Sequence, residues 1–288
     1  MARNKYFGVV EGFYRRPYTH DQRCDLIKFL VNNGLNTYVY APKSDIYHRK
    51  AYSRFYPGKK IKEFKALNQL AKNRGVLFNY ALAPGTKPDS RMILQKIKQV
   101  IDAGIVHYSL LYDDIKVPMT SETAEIQSDT ANQLFDLLRV NNPDSVLFFC
   151  PTQYCGFEQN DYISTIGQQL DRQILIFWTG NKVVSRRITL KQTIRITRLL
   201  GRPPLIWDNL FANDYIPGTI FRTPYHGREP GIVNETSGIL INPMNEYRWS
   251  KPLIYTAALF FKNPHKDNGH KAWQEAEMRG YKDAEKQG

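Results

Sequence analysis

The sequence predicts an α/β protein folded as a single (β/α)8 barrel. Three observations carry this. Eight short, nearly continuous apolar runs recur along the chain. Longer segments with helical spacing separate most of them. The length, 288 residues, suits one barrel of this kind. Strands that are apolar on both faces and alternate with helices mean a parallel sheet covered by helices. A doubly wound open sheet is the alternative, but no GxGxxG is present to support a dinucleotide site in it.

The elements follow in order. The first run is YFGVVEGFY (6–14), and residues 19–33 then place Cys24, Ile27, Leu30 and Val31 on one helical face. The second run is NTYVYAPK (36–43). After it, KKIKEFKALNQLAKNRG (59–75) spaces Ile61, Phe64, Leu67 and Leu70 three apart, an amphipathic helix with a basic outer face. VLFNYALAP (76–84) leads to a helix near 88–103, and VHYSLLYDD (106–114) to one over 121–141. SVLFFCPT (145–152) precedes a helix at 160–170. QILIFWTG (173–180) precedes one at 189–200, which Thr189 is placed to cap. PPLIWDN (203–209) and GILINP (238–243) complete the eight runs. The barrel is expected over 1–263, and the polar stretch 264–288 as a charged C-terminal extension, a surface helix or a tail.

Composition narrows the function classes. The chain is 42% hydrophobic and 13% aromatic, with 18 Tyr and 15 Phe, enough for a packed core rather than a disordered chain. No apolar run reaches the roughly 18 residues of a membrane span. MARNKYFGVVEGFY enters a strand at once, with no secretory h-region. Cys24, Cys150 and Cys155 make no disulfide framework and no zinc set, so they read as reduced thiols in a cytoplasmic protein. His20, His48, His107 and His226 have no ligand spacing, so no metal is expected. The net charge of +13 suits polyanions in general. Its excess between Lys43 and Arg74 falls largely on an outer helix face, a solvated surface, so nucleic acid is not the expected partner.

In a barrel, chemistry gathers where the strands end. Here the runs end in Glu11–Tyr14, Lys43, Asp113–Asp114, Tyr154 just past the fifth, Trp178, Trp207–Asn209 with Asp214 beyond, and Asn242. A purely structural sheet has no reason to finish so many strands in polar or aromatic groups. Hydroxyls bond to Asp, Asn and Lys, and pyranose faces pack on rings, so a sugar suits this pocket. Trp178 stands equally well as a core ring. Taken alone, Asp113–Asp114 would be a turn or a helix cap. In this setting the pair sits at the centre of a cleft. Ordinary retaining glycosidases set two carboxyls on opposite sides of the scissile bond, one of them the nucleophile. Adjacent residues on one strand do not straddle a sugar that way. A 2-acetamido sugar supplies its own nucleophile, the acetamide oxygen. One aspartate would then protonate the leaving oxygen, and the other would hold the acetamide N–H.

GVVEGFY, YAPKSDIYHR, LLYDDI, FCPTQYCG, WTGNKVVS, IWDNLFANDY and GILINP together resemble, in order, the catalytic domain of glycoside hydrolase family 84. That family includes protein O-GlcNAcases, bacterial β-N-acetylglucosaminidases and hyaluronidase-like enzymes, and the resemblance spans roughly residues 6–262. It implies a (β/α)8 barrel that releases β-linked N-acetylglucosamine (GlcNAc) by the substrate-assisted, retaining route through an oxazoline, without metal or organic cofactor. It assigns Asp113 to orienting the acetamide and Asp114 to acid/base catalysis. It sets Gly12, Lys43, Asn209, Asp214 and Asn242 on the sugar, and Tyr154, Val183 and Trp207 around the acetamide. The expected partner is a protein or glycan bearing β-GlcNAc. Alternatives are a hyaluronan-type glycan hydrolase, or an inactive barrel that binds a sugar or polyanion. The chain departs from the family pattern at Arg15, where a glycine is usual, at Ser44, at Gln153 and within NPMNEY (242–247). Arg15 is expected at the cleft mouth, reading an acidic group beyond the first sugar.

Overall fold

The computed structural model describes residues 5–266 and 273–274. Eight strands, all parallel, close into a barrel in chain order. They are β1 Tyr6–Glu11, β2 Thr37–Tyr40, β3 Leu77–Leu82, β4 His107–Leu111, β5 Leu147–Cys150, β6 Leu175–Trp178, β7 Leu205–Asp208 and β8 Gly238–Ile241. The ring closes through β8 on β1, with Tyr6 opposite Gly238 and Val9 opposite Ile241. The helices are α1 His20–Asn32, α2 Gly58–Lys72, α3 Ser90–Ile101, α4 Ser121–Asn141, α5 Asp161–Gln169, α6 Leu190–Leu200, α7 Ile232–Glu235 and α8 Tyr247–Lys262. The fold class is the one the sequence predicts.

Successive strand residues face opposite ways, so each strand feeds two apolar layers. One layer is made of residues of the strands and just past them, among them Val10, Val39, Ala81, Leu111, Phe148, Phe177, Leu205 and Leu240, and fills the barrel. The other joins Val9, Tyr38, Tyr80, Tyr108 and Ile239 to helix residues such as Leu30, Phe64, Ile97, Leu134 and Ile166. Burial on both faces is why the runs show no polar alternation.

Local chemistry sets the helix boundaries. Thr19, Asp89, Thr120, Asn160 and Thr189 each accept a backbone N–H of the helix they precede. Thr189 with Gln192 forms a full capping box, as expected for α6. Gly201, at φ +66°, ends that helix in the left-handed conformation glycine adopts without strain.

Two elements escape the sequence reading. The segment α7 is a single turn. In α8 the buried positions run almost all round, and Pro252 interrupts the pattern within the helix, so no polar face announces it. The apolar runs also overshoot the strands at their C-terminal ends, because the residues that follow turn into the loops over the barrel. The expected extension 264–288 lies outside the described residues, apart from 264–266 and the helical pair 273–274. Among the described residues no helix is long and apolar enough to cross a membrane.

Buried ion pairs anchor the ends of β1 and β7. Arg23 of α1 reaches Glu11 of β1 through both oxygens, at 2.7 and 2.8 Å. Tyr38 Oη and the Tyr18 N–H complete the shell of Glu11. Asp208 of β7 is held by Arg228, by Tyr225 Oη at 2.7 Å and by the Leu210 N–H at 3.0 Å. These carboxylates stand next to Gly12 and Asn209 in sequence and fix where the chain leaves each strand.

Candidate active site

A cleft of about 730 Å³ opens where the strands end. Gly12, Lys43, Asp113, Asp114, Tyr154, Val183, Trp207, Asn209, Asp214 and Asn242 all line it. Strand periodicity brings most of them there. Val10, Ala41, Leu111 and Leu240 belong to the layer inside the barrel. Two residues further along, on the same face, come Gly12, Lys43, Asp113 and Asn242. Trp207 belongs to that inner layer itself, and Asn209 follows it by two.

Asp114 has the wrong parity and should point away. It reaches the cleft because its backbone turns left-handed, at φ +56°. Aspartate tolerates that conformation better than most side chains. Two neighbours just past β4 therefore present carboxylates to one space by different routes.

The floor is a hydrogen-bonded chain. The Gly12 N–H donates to Asn242 Oδ1 at 3.1 Å, and Asn242 Nδ2 donates to Asn209 Oδ1 at 2.8 Å. Asn209 Nδ2 then donates to the Val183 carbonyl at 2.8 Å. A side chain at position 12 would strike the Trp207 ring, since a Cβ there would stand 2.0 Å from its Cζ2. Trp207 packs edge-on against Phe177, with centroids 5.2 Å apart, and Lys43 Nζ lies 5.3 Å from its centroid. At the mouth, Asp214 Oδ2 accepts the Tyr14 N–H at 2.7 Å.

The two carboxylates differ in their surroundings. Asp113 is buried and paired through Oδ2 with buried Lys43. Its Oδ1 is buried on the cleft wall without a hydrogen-bond partner. Such an acceptor is costly unless something donates to it. Asp114 is exposed, and both its oxygens are claimed: Tyr14 Oη donates to Oδ2 at 2.6 Å and Tyr154 Oη to Oδ1 at 2.7 Å. Partial burial pushes its carboxyl up, but the two hydroxyls, with Lys43 and Arg49 nearby, outweigh this and hold it below the ordinary value. As it stands it is a carboxylate, not an acid. Burial and the bond to Asp114 push the Tyr14 phenol up to about 12.

Several residues at the site carried no assignment from sequence. Tyr14, Cys150, Thr179 and Tyr215 line the cleft, and Arg49 donates to Tyr14 Oη at 2.6 Å. Tyr14 and Arg49 fall within EGFY and YAPKSDIYHR, but nothing in those strings says that two loops from different strands meet. Trp178 is a core ring: it is buried, and its Nε1 donates to the Gly156 carbonyl at 3.1 Å. Arg15 sits at the mouth with φ +74°, and its Nε donates to the Asp214 carbonyl at 2.7 Å. The left-handed backbone accounts for the usual glycine at this position. Gln153 turns to the Glu158 carbonyl and to Asn160, and Met244 is buried, so neither departure touches the carboxylates. The three cysteines are free thiols, and among the described residues no group of three or more His, Cys, Asp or Glu is placed to hold a metal ion.

The site therefore offers a paired carboxylate with one unclaimed acceptor, a second carboxylate beside it, an amide-lined floor and an aromatic wall. The chain matches the beta-N-acetylglucosaminidase family over residues 7–287. It is 34% identical over 281 residues to the protein O-GlcNAcases of Rattus norvegicus and Mus musculus, covering 91% of this chain and 30% of each relative. It thus spans about a third of their length. Among solved structures, an O-GlcNAc hydrolase mutant of Thermobaculum terrenum superposes with a TM-score of 0.89 at 30% identity, over 95% of this chain and 62% of that one. The structure of CpGH84B gives 0.88 at 27% identity, over 95% and 51%.

Proposed function

Because the chain belongs to the beta-N-acetylglucosaminidase family, glycoside hydrolase family 84, we propose that it hydrolyses β-linked N-acetylglucosamine, with O-GlcNAc-modified protein as the substrate. The observation that carries the mechanism is Asp113. Lys43 holds one oxygen and leaves Oδ1 unclaimed on the cleft wall. An acetamide N–H is the donor that suits it. So held, the acetamide oxygen lies under the anomeric carbon and attacks it, forming an oxazoline and expelling the aglycone. Asp114 delivers the proton to the leaving oxygen and then deprotonates the water that opens the oxazoline. The Asp113 carboxylate balances the positive charge of the intermediate. Trp207, Tyr154 and Val183 enclose the acetamide methyl, while Asn209, Asp214, Asn242 and the Gly12 turn meet the sugar hydroxyls.

Arg15, beside this site, is read as a contact to acidic aglycones, by charge and position. A cytoplasmic location suits the three free thiols.

The test compares aryl β-GlcNAc with aryl β-glucoside and adds a thiazoline that mimics the oxazoline. The GlcNAc substrate should turn over and the glucoside should be essentially inert. The thiazoline should bind orders of magnitude more tightly than substrate. Comparable turnover of the two glycosides would rule out the acetamide as nucleophile.

A further inference from the structure

The two hydroxyls on Asp114 are not equivalent. Tyr154 is partly buried, and its carbonyl accepts the Thr179 N–H at 2.9 Å, so its main chain is tied to the strand beside it. Tyr14 is 42% exposed at the mouth. Its hydroxyl donates to Asp114 Oδ2 and accepts from Arg49 Nη1, both at 2.6 Å. The Arg49 guanidinium also stands 5.4 Å from the Tyr14 ring centroid. A hydroxyl that accepts a charged hydrogen bond is a stronger donor. Arg49, Tyr14 and Asp114 thus form a line from cation through phenol to carboxylate, built from the loops after β1, β2 and β4.

A general acid must present a protonated oxygen to the leaving group, and here both oxygens are already accepting. A donor on the leaving-group side must give way to the glycosidic oxygen, and Tyr14 is the one at the mouth. Resting on the reading of Asp114 as acid/base, we infer that Arg49 and Tyr14 form a substrate-operated switch, which keeps Asp114 ionised in the free enzyme and releases it to take a proton from solvent when the aglycone displaces the Tyr14 hydroxyl. The proton then passes to the glycosidic oxygen as the bond breaks. Asp114 recovers one from the attacking water and returns it to solvent when the product leaves and Tyr14 closes again, so protons balance over the cycle.

The other groups around Asp114 do not provide this control. Lys43 is committed to Asp113. Tyr154 Oη donates to Oδ1 from a main chain tied to Thr179. Burial pushes the Cys150 thiol far above its ordinary range, so it remains neutral. Asp214 holds the Tyr14 N–H and anchors the loop rather than the hydroxyl. The Tyr14 hydroxyl, on a ring 42% exposed at the mouth, is the more open of the two donors to displacement.

The experiment separates the free enzyme from the complex, because the pH profile of kcat/KM reports the former and that of kcat the latter. Tyr14→Phe removes one of two donors to the carboxylate. The alkaline limb of kcat/KM should move up by roughly one pH unit, while the limb of kcat stays in place. Arg49→Gln should move the same limb in the same direction by less, and Arg49→Lys, which keeps the charge, should restore it in part. A merely structural role would lower both parameters without moving either limb. Calorimetry with a neutral, S-linked GlcNAc-peptide in buffers of different ionisation heat gives a second reading between about pH 5 and 7. Wild type should take up a proton on binding, Tyr14→Phe and Arg49→Gln fewer, and Asp114→Asn none. An unmoved kcat/KM limb, or equal uptake by wild type and Tyr14→Phe, overturns the switch. If Asp114→Asn loses activity equally across leaving groups, the acid/base reading itself falls, and the switch with it.

Discussion

Asp113 and Asp114 are neighbours that meet different physics, and their variants should fail differently. Asp113 is buried against Lys43, so Asp113→Asn leaves that ammonium without its counter-charge and, on the proposed mechanism, weakens the acceptor for the acetamide. Asp114 is exposed and accepts from two tyrosine hydroxyls. Each change to Asn should cost at least about 100-fold in kcat, the scale of a lost acid/base or charge-stabilising group. The Asp113→Asn loss should be uniform across leaving groups. The Asp114→Asn loss should shrink as the leaving group improves, because a good one needs little protonation. A series of aryl GlcNAc substrates of graded acidity measures both, and parallel slopes would contradict the assignment.

Between elements, the ion pair of Arg23 with Glu11 couples α1 to β1 immediately before Gly12. Both side chains are buried, at 4% and 0% exposure. Burial alone would lower the Arg23 pKa, but Glu11 outweighs this and raises it above the ordinary value. Such a pair is costly to break because the surviving charge stays buried. Glu11→Gln keeps the shape and removes the charge. It should destabilise the fold by about 3–5 kcal/mol, the range for removing one partner of a buried pair. Urea unfolding reads this directly as a lower midpoint with an unchanged slope. A midpoint equal to wild type would mean that Arg23 is solvated in a way the packing does not suggest.

Across the whole molecule, buried His48 and half-buried His107 weaken stability towards acid. Burial, with the Lys43 charge, pushes His48 down to about 4, against the Ala81 carbonyl bond and the charges of Asp45 and Asp113. Burial pushes His107 down to about 4, opposed by Asp144. An unfolded histidine titrates near about 6.5. Both folded values lie lower, so the fold prefers the neutral rings. Their contribution is complete above about pH 6.5 and is lost as the pH falls towards about 4, because between those values the unfolded chain holds up to about two protons that the folded chain does not. The loss should be on the order of a few kcal/mol in that window. Urea midpoints from pH 7 to pH 4 test it, and a flat profile would count against neutral rings.

The alternation of apolar runs and helical spacing was enough to give the barrel, because parallel strands buried on both faces leave an unmistakable composition. The same regularity pointed to most of the cleft residues, since side chains at strand ends have one common destination in a closed sheet; Val183 came from the family resemblance alone. Three matters lay beyond the linear pattern. The helix α8 was hidden because burial nearly all round it erases the amphipathic signal. That Asp114 faces the cleft depends on one left-handed φ, which reverses the parity the strand would give it. And the contact of Tyr14 and Arg49, which governs the charge on Asp114, is made by two loops that only the closing of the barrel brings together. Local pattern fixes which face a residue occupies, but which loops meet above the barrel depends on long-range packing that no spacing along the chain records.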